Sequence, residues 1–160
     1  MYPRERIETE RLVLVPMTGE QCAAILAGDL TVIVAGEGWP MEDSLVNMRT
    51  AAKYGVELPG WFVTLDGAVI GDISTHGDVD DEGDIEVGYN LAEPYRGRRY
   101  ASEFVTAASQ WLLRRDGVQR VVARHVEVGN LPSRKALERA GFVLEKEDER
   151  HTWYVLTSPL

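Results

Sequence analysis

The chain has 160 residues, 44% hydrophobic and 27% charged, with 26 acidic against 17 basic side chains and a net charge of -9. That length suits one domain, 1–160, able to bury roughly 70% of its unfolded surface, and the composition excludes a disordered polymer. The acidity argues against a nucleic-acid partner, and no apolar run approaches the ~20 residues of a membrane span. A single cysteine cannot staple a fold, so a cytoplasmic protein is expected.

Residues 11–17 (RLVLVPM) read as a strand ended by Pro16. Thr18 with Gln21 three positions on forms a capping-box pattern, and Cys22, Ile25 and Leu26 recur at helical spacing over 19–27, which places Cys22 inside. A second helix is expected over 42–54, after the irregular stretch GEGWPMEDS. WFVTLD and AVIGDIST flank Asp66-Gly67, a dipeptide suited to a tight hairpin turn. GDVDDEGD (77–84) is acidic but lacks the ligand spacing of a calcium loop, so it reads as a solvated turn and no metal is expected.

Ile85, Val87, Tyr89 and Leu91 alternate onto one face of a strand over 84–91. A helix over 98–114 buries Ala101, Phe104, Val105, Ala108, Trp111 and Leu112. A strand at 120–128 and a helix at 131–140 follow, the latter closed by Gly141 with Phe142 as its apolar contact. FVLEKED and TWYVLTS end the chain as a hairpin. This order predicts an α/β domain: a mixed sheet with helices on its faces.

The segment NLAEPYRGRRYASEFV (90–105) holds the most chemistry. A strand ends, a loop with Pro94 and Gly97 turns, and a helix begins at once. The first helical turn leaves N–H groups unpaired beside a partial positive charge, and Arg96, Arg98 and Arg99 surround it, so the loop suits an anion such as a pyrophosphate. Neither GxGxxG nor GxxxxGK is present. In the second informative segment, VGNLPSRKALERAGF (128–142), Asn130 as N-cap, Pro132 in the first turn and Ser133 reaching the backbone give a sufficient structural account on their own.

Together, IEVGY (85–89), YRGRRYASE (95–103), NLPS (130–133), GF (141–142) and the opening ETERLVLVPM (8–17) resemble the GNAT N-acetyltransferases, and more closely the branch of ribosomal-protein N-terminal acetyltransferases. The resemblance implies a mixed, mostly antiparallel sheet of six to seven strands, helices on both faces and a splayed central strand pair. It implies transfer of acetyl from acetyl-CoA to a primary amine, at a protein N-terminus or on a small molecule. A non-catalytic CoA-binding regulatory domain and a longer acyl-CoA donor are the alternatives, and a homodimer is left open.

The same resemblance assigns residues. Arg96, Gly97, Arg98, Arg99, Tyr100 and Ala101 would hold the CoA pyrophosphate, with Tyr100 facing the core. Leu91 and Ala92 would pair through their backbone with the pantetheine arm, which Asn130 would also touch. Ser133 would meet the sulfur and protonate it on departure. Family members usually have glycine where Arg99 stands, and Arg99 is expected within the first helical turn with ordinary dihedrals. An amine is mostly protonated at neutral pH, so a base is needed. Glu86, on the strand face opposite Ile85 and beside Gly88, is the candidate, directly or through water, with Gly88 leaving room for substrate. His76 is an alternative base or acceptor contact, and His125 a further one. The segment 29–60, with Trp39 and Trp61, is expected to shape the acceptor site, although its hydrophobic residues equally suit a core or a dimer contact.

Overall fold

The computed structural model describes residues 4–53 and 60–158. Strands β1 (Ile7–Glu8) and β2 (Val13–Pro16) lead into helices α1 (Gly19–Leu26) and α2 (Glu42–Lys53). β3 (Gly60–Leu65), β4 (Ala68–Thr75) and β5 (Asp84–Leu91) come next, then α3 (Tyr100–Leu113), β6 (Arg120–Glu127), α4 (Leu131–Arg139), β7 (Val143–Glu147) and β8 (His151–Thr157). Tyr54, at the end of the expected second helix, and most of the 54–60 part of the expected acceptor segment lie outside the described residues.

The strands form one eight-stranded sheet in the order β1-β2-β3-β4-β5-β6-β8-β7. The count exceeds six to seven because the two-residue β1 pairs with β2 at the edge. All neighbours are antiparallel except β5 and β6. That parallel pair needs a crossover, which α3 supplies. Its pairing covers only Asp84–Glu86 against Arg120–Val122. The base of the pair is pinned by a bidentate contact of Arg120 with the buried Asp84 carboxylate, both bonds at 2.7 Å. Past this point the strands part. A register shift after Ala123, where His125 takes φ 56°, bends β6 toward β8.

The two faces of the sheet carry separate cores. On one, Phe104, Val105, Ala108 and Leu112 of α3 pack against Ile73, Ile85 and Val121, with Leu137 and Phe142 of the α4 region. Each of these buried side chains larger than alanine contributes roughly 1.5–3 kcal/mol. On the other, Cys22, Ile25 and Met48 of α1 and α2 cover Phe62, Val69 and Trp39. Burial pushes the Cys22 thiol up to about 11, so it is an inert packing group.

The local devices read from the sequence are present: the Thr18–Gln21 capping box, positive φ at both Asp66 and Gly67, and Gly141 (φ 95°) ending α4 with Phe142 buried beyond it. Trp39 and Trp61 take the core alternative and not the acceptor wall. Both are core residues, 3% and 0% exposed, with edge contacts to Phe62 and Trp111 respectively. An apolar ring in an irregular segment signals burial as readily as it signals a binding wall. Among the described residues no helix is long and apolar enough to cross a membrane, and no group of His, Cys, Asp or Glu could hold a metal.

Candidate active site

Where β5 and β6 part, a cavity of about 640 Å³ opens between the end of β5, the first turn of α3 and the first turns of α4. Alternation along β5 sets its inner wall. The N–H of Ala92 and the C=O of Glu86 bond to β4, at Ile70 O and His76 N. Even-numbered positions therefore spend their backbone on β4, and those of Tyr89 and Leu91 point into the gap. The Leu91 carbonyl accepts a bond from Arg96 Nε at 3.0 Å. Ala92, expected to pair with a ligand, is fully buried with its N–H already used.

The loop into α3 shapes the second wall. Gly97 has φ 84°, and a Cβ there would meet no protein atom within 4 Å, so the glycine is required by its dihedral and faces open space. Arg99 corrects the sequence reading. It is not in the first turn but is the N-cap of α3, left-handed at φ 63° and ψ 21°, without a side-chain cap bond. The family's usual glycine marks this conformation, and an arginine there costs about 1–2 kcal/mol. α3 consequently starts at Tyr100, two residues later than its apolar pattern suggests. Ala101 and Ser102, whose N–H groups have no partner inside the helix, line the cavity.

The start of α3 is tied to the N-terminal strands through Glu103. Its carboxylate accepts from Thr9 Oγ1 (2.5 Å), Arg11 N (2.9 Å) and Arg11 Nε (2.7 Å), and Arg11 Nη2 also donates to the Arg98 carbonyl. The Arg11 guanidinium lies 4.3 Å from the Tyr100 ring centroid. Burial alone would raise the Glu103 carboxyl, but the bonds from Thr9 and Arg11 outweigh it and hold it below its usual value. Arg98, engaged through its backbone, is not in the cavity lining, whereas Arg96 and Arg99 are.

The third wall belongs to α4. Asn130 is its N-cap, accepting from Ser133 N at 3.3 Å, and lines the cavity as well. Ser133 does not turn its hydroxyl back to the helix. Its Oγ lies 2.8 Å from the Tyr89 hydroxyl, which also donates to the Ser133 carbonyl at 3.0 Å. Burial pushes the Tyr89 phenol up to about 12, so it keeps its proton at neutral pH. The sequence reading treated Tyr89 only as a core position; the EVGY stretch was the available signal. It also missed Lys135 and Arg139, one helical turn apart on α4, which add two cations to the lining.

Glu86 and His76 sit apart from this lining. His76 Nδ1 lies 3.3 Å from Glu86 Oε2, and Arg124 Nη1 lies 3.7 Å from Glu86 Oε1. The space over Gly88 is not free for substrate: a Cβ there would meet His76 Nε2 at 2.6 Å, so the imidazole already occupies it. About 13 Å of strand separates Glu86 from Asn90, which does line the cavity on the same face of β5. Trp39 reaches the region only indirectly, donating from Nε1 to Asp72 at 2.9 Å. His125 is exposed and packs edge-on against Trp153 and His151 on the far side of β6.

Comparison with known proteins bears on the family and the fold. An N-acetyltransferase of uncharacterised function from Bacillus subtilis, YjdG, is 36% identical over 90 residues, 56% of this chain. The chain spans about half the length of that curated relative, 53%. A GNAT-family acetyltransferase from Bacillus anthracis superposes with a TM-score of 0.69 at 20% identity, covering 96% of this chain and 98% of its own. RimJ of Mycobacterium smegmatis, solved in complex with CoA-disulfide, gives 0.66 at 20% identity over 96% and 88%. These likenesses show a shared fold. Residues 11–143 match the Acetyltransferase (GNAT) domain, and the chain belongs to that family.

Proposed function

We propose that the chain transfers acetyl from acetyl-CoA to a primary amine, at a protein N-terminus or on a small molecule, with the cavity between the end of β5 and the starts of α3 and α4 as the cofactor groove. The carrying observation is electrostatic. In a chain of net charge -9, Arg96, Arg99, Lys135 and Arg139 line one cavity, beside the unpaired N–H groups of α3. Such a wall suits a ligand with several phosphate charges. The residues fit CoA: an open position over Gly97 for a pyrophosphate, and the free edge of β5 at Tyr89 and Leu91 for an extended arm with amide groups. RimJ of Mycobacterium smegmatis, which shares this fold, was solved with CoA-disulfide, which supports CoA as the ligand class. Arg99 keeps the left-handed turn that glycine would take, which supports the catalytic reading over a non-catalytic CoA-binding domain.

When bound, the cofactor supplies an activated acetyl thioester. The chain's own groups handle protons. Glu86, held by His76 and Arg124, takes the amine's proton at Oε through a chain of several waters, because it stands outside the cavity lining, about 13 Å of strand from Asn90. At the other side, Tyr89 has one hydroxyl proton and two acceptors on Ser133. When it donates to Ser133 Oγ, the serine's own proton is free to point into the cavity, toward the sulfur that leaves. The test is calorimetric titration with acetyl-CoA, with desulfo-CoA as control, followed by turnover with a panel of amines. Micromolar binding and turnover are expected. In Glu86→Gln, cofactor affinity should persist while turnover falls at least about tenfold, most at low pH; unchanged turnover across pH removes Glu86 from the mechanism.

A further inference from the structure

Asp72 is a carboxylate at the centre of the sheet, 1% exposed, and the proton transfers above make no use of it. It lies opposite Asn90 in the β4–β5 ladder, on the face covered by α1 and α2. Its Oδ2 accepts from Trp39 Nε1 at 2.9 Å, and its Oδ1 accepts from Asn90 Nδ2 at 2.9 Å. Burial pushes this carboxyl up, against the opposing influence of Trp39, Asn90 and the nearby Ser44 hydroxyl.

Counting donors fixes the polarity of Asn90. With Asp72 in its ionised form, the Trp39 indole can only donate, the carboxylate can only accept, and the Ser44 hydroxyl can do either and so decides nothing. Asn90 must therefore present its NH2 to Asp72. Its Oδ1 is left without a protein partner among the described residues, and Asn90 lines the cavity. The unpaired end of this half-buried side chain is an acceptor, suited to an N–H donor.

Two donors could reach it, the cofactor arm or the amine. The location favours the amine. The cofactor edge of β5 is formed by the backbone of Tyr89 and Leu91, whereas the Asn90 side chain rises on the α2 face. The next lining residue on that face is Asp43, in the first turn of α2, which repels phosphate and attracts an ammonium. Resting on the acetyl-transfer reading, we propose that Asn90 Oδ1 receives the N–H of the incoming amine, and that Asp72 is the positioning residue that turns this oxygen into the cavity.

The same donor count makes a sharp test. In Asp72→Asn the Trp39 indole claims the new amide's oxygen, so the new NH2 faces Asn90. Asn90 must then rotate its own oxygen inward and present NH2 to the cavity. Adding Trp39→Phe removes the claim and lets the pair turn back. The experiment measures amine KM, kcat and acetyl-CoA Kd for the parent, Asn90→Ala, Asp72→Asn and the Asp72→Asn/Trp39→Phe double variant. The probes are a serine-initiated hexapeptide, spermidine and an aminosugar.

Asn90→Ala and Asp72→Asn should each raise amine KM about tenfold, the worth of one charge-assisted hydrogen bond, with acetyl-CoA Kd unmoved. The double variant should recover part of that loss. An unchanged KM in Asn90→Ala, or a weakened acetyl-CoA Kd in place of the KM effect, overturns the assignment. A KM effect in Asp72→Asn that Trp39→Phe deepens makes Asp72 merely structural and overturns its positioning role. Parent protein that neither binds acetyl-CoA nor turns over any probe overturns the acetyl-transfer reading itself, a failure distinguishable from the others.

Discussion

The two ends of the cavity are built on different terms. At the α3 end the surroundings are cationic and open, and the contacts on offer are backbone groups: the first turn of α3, the turn at Gly97 and the free edge of β5. At the α2 end they are acidic and amidic. Asp43 and Asn90 are side chains, and Asn90 takes its direction from Asp72 and Trp39, which lie 33 residues apart in the chain. A site made of backbone should tolerate side-chain exchange so long as dihedrals are kept, and Arg99 keeps the left-handed ones. A site made of converging side chains does not.

Gly97→Val strikes the backbone end hardest. A β-branched residue at φ 84° costs about 1–3 kcal/mol and fills the open position, so acetyl-CoA Kd should rise by about tenfold to a hundredfold in calorimetry. Unaltered affinity would show that the cradle lies elsewhere. Glu103→Gln should cost about 2 kcal/mol in urea unfolding, because three donors lose a charged acceptor. Its pH dependence has a definite sign. The carboxyl is depressed in the folded state, so its stabilisation is complete above its ordinary value of 4.5 and is lost as pH falls through the lower folded value. The variant should lack that part of the acid loss, and parallel acid profiles would reject the assignment.

What could be read from the sequence follows the same division. The motif YRGRRYASE and the helix pattern after it located the cationic end, because a loop entering a helix is a local arrangement. Tyr89 was visible as an alternating apolar position, but its bond to Ser133 spans 44 residues and no spacing rule reports it. Trp39 was read as a wall of the acceptor site and proved to be core, since burial of an isolated ring depends on what α1 and α2 bring over it. Arg99 was misplaced because arginine suits a helix interior, and only the tertiary path of the loop imposes the left-handed turn.

Two smaller effects sharpen the comparison. Lys135→Ala should weaken acetyl-CoA binding a few-fold, and the gap between variant and parent should close as salt rises, since this charge acts across solvent. A difference indifferent to salt would mean that the side chain packs against the ligand instead. Arg99→Gly relieves the left-handed strain and should stabilise the fold by about 1 kcal/mol, while removing one cation from the groove. Destabilisation would mean that the arginine makes compensating contacts.

The Glu103 buckle joins residues 92 and 94 positions apart, so the first strands of the chain and the start of α3 open and close together. Whatever binds the groove must then protect those strands as well, by mass action and without touching them. Amide exchange at Arg11 and Leu12 should slow when acetyl-CoA is added, which makes the N-terminal hairpin a remote reporter of occupancy. A tag or partner that pulls on this hairpin would act as an inhibitor from outside the groove.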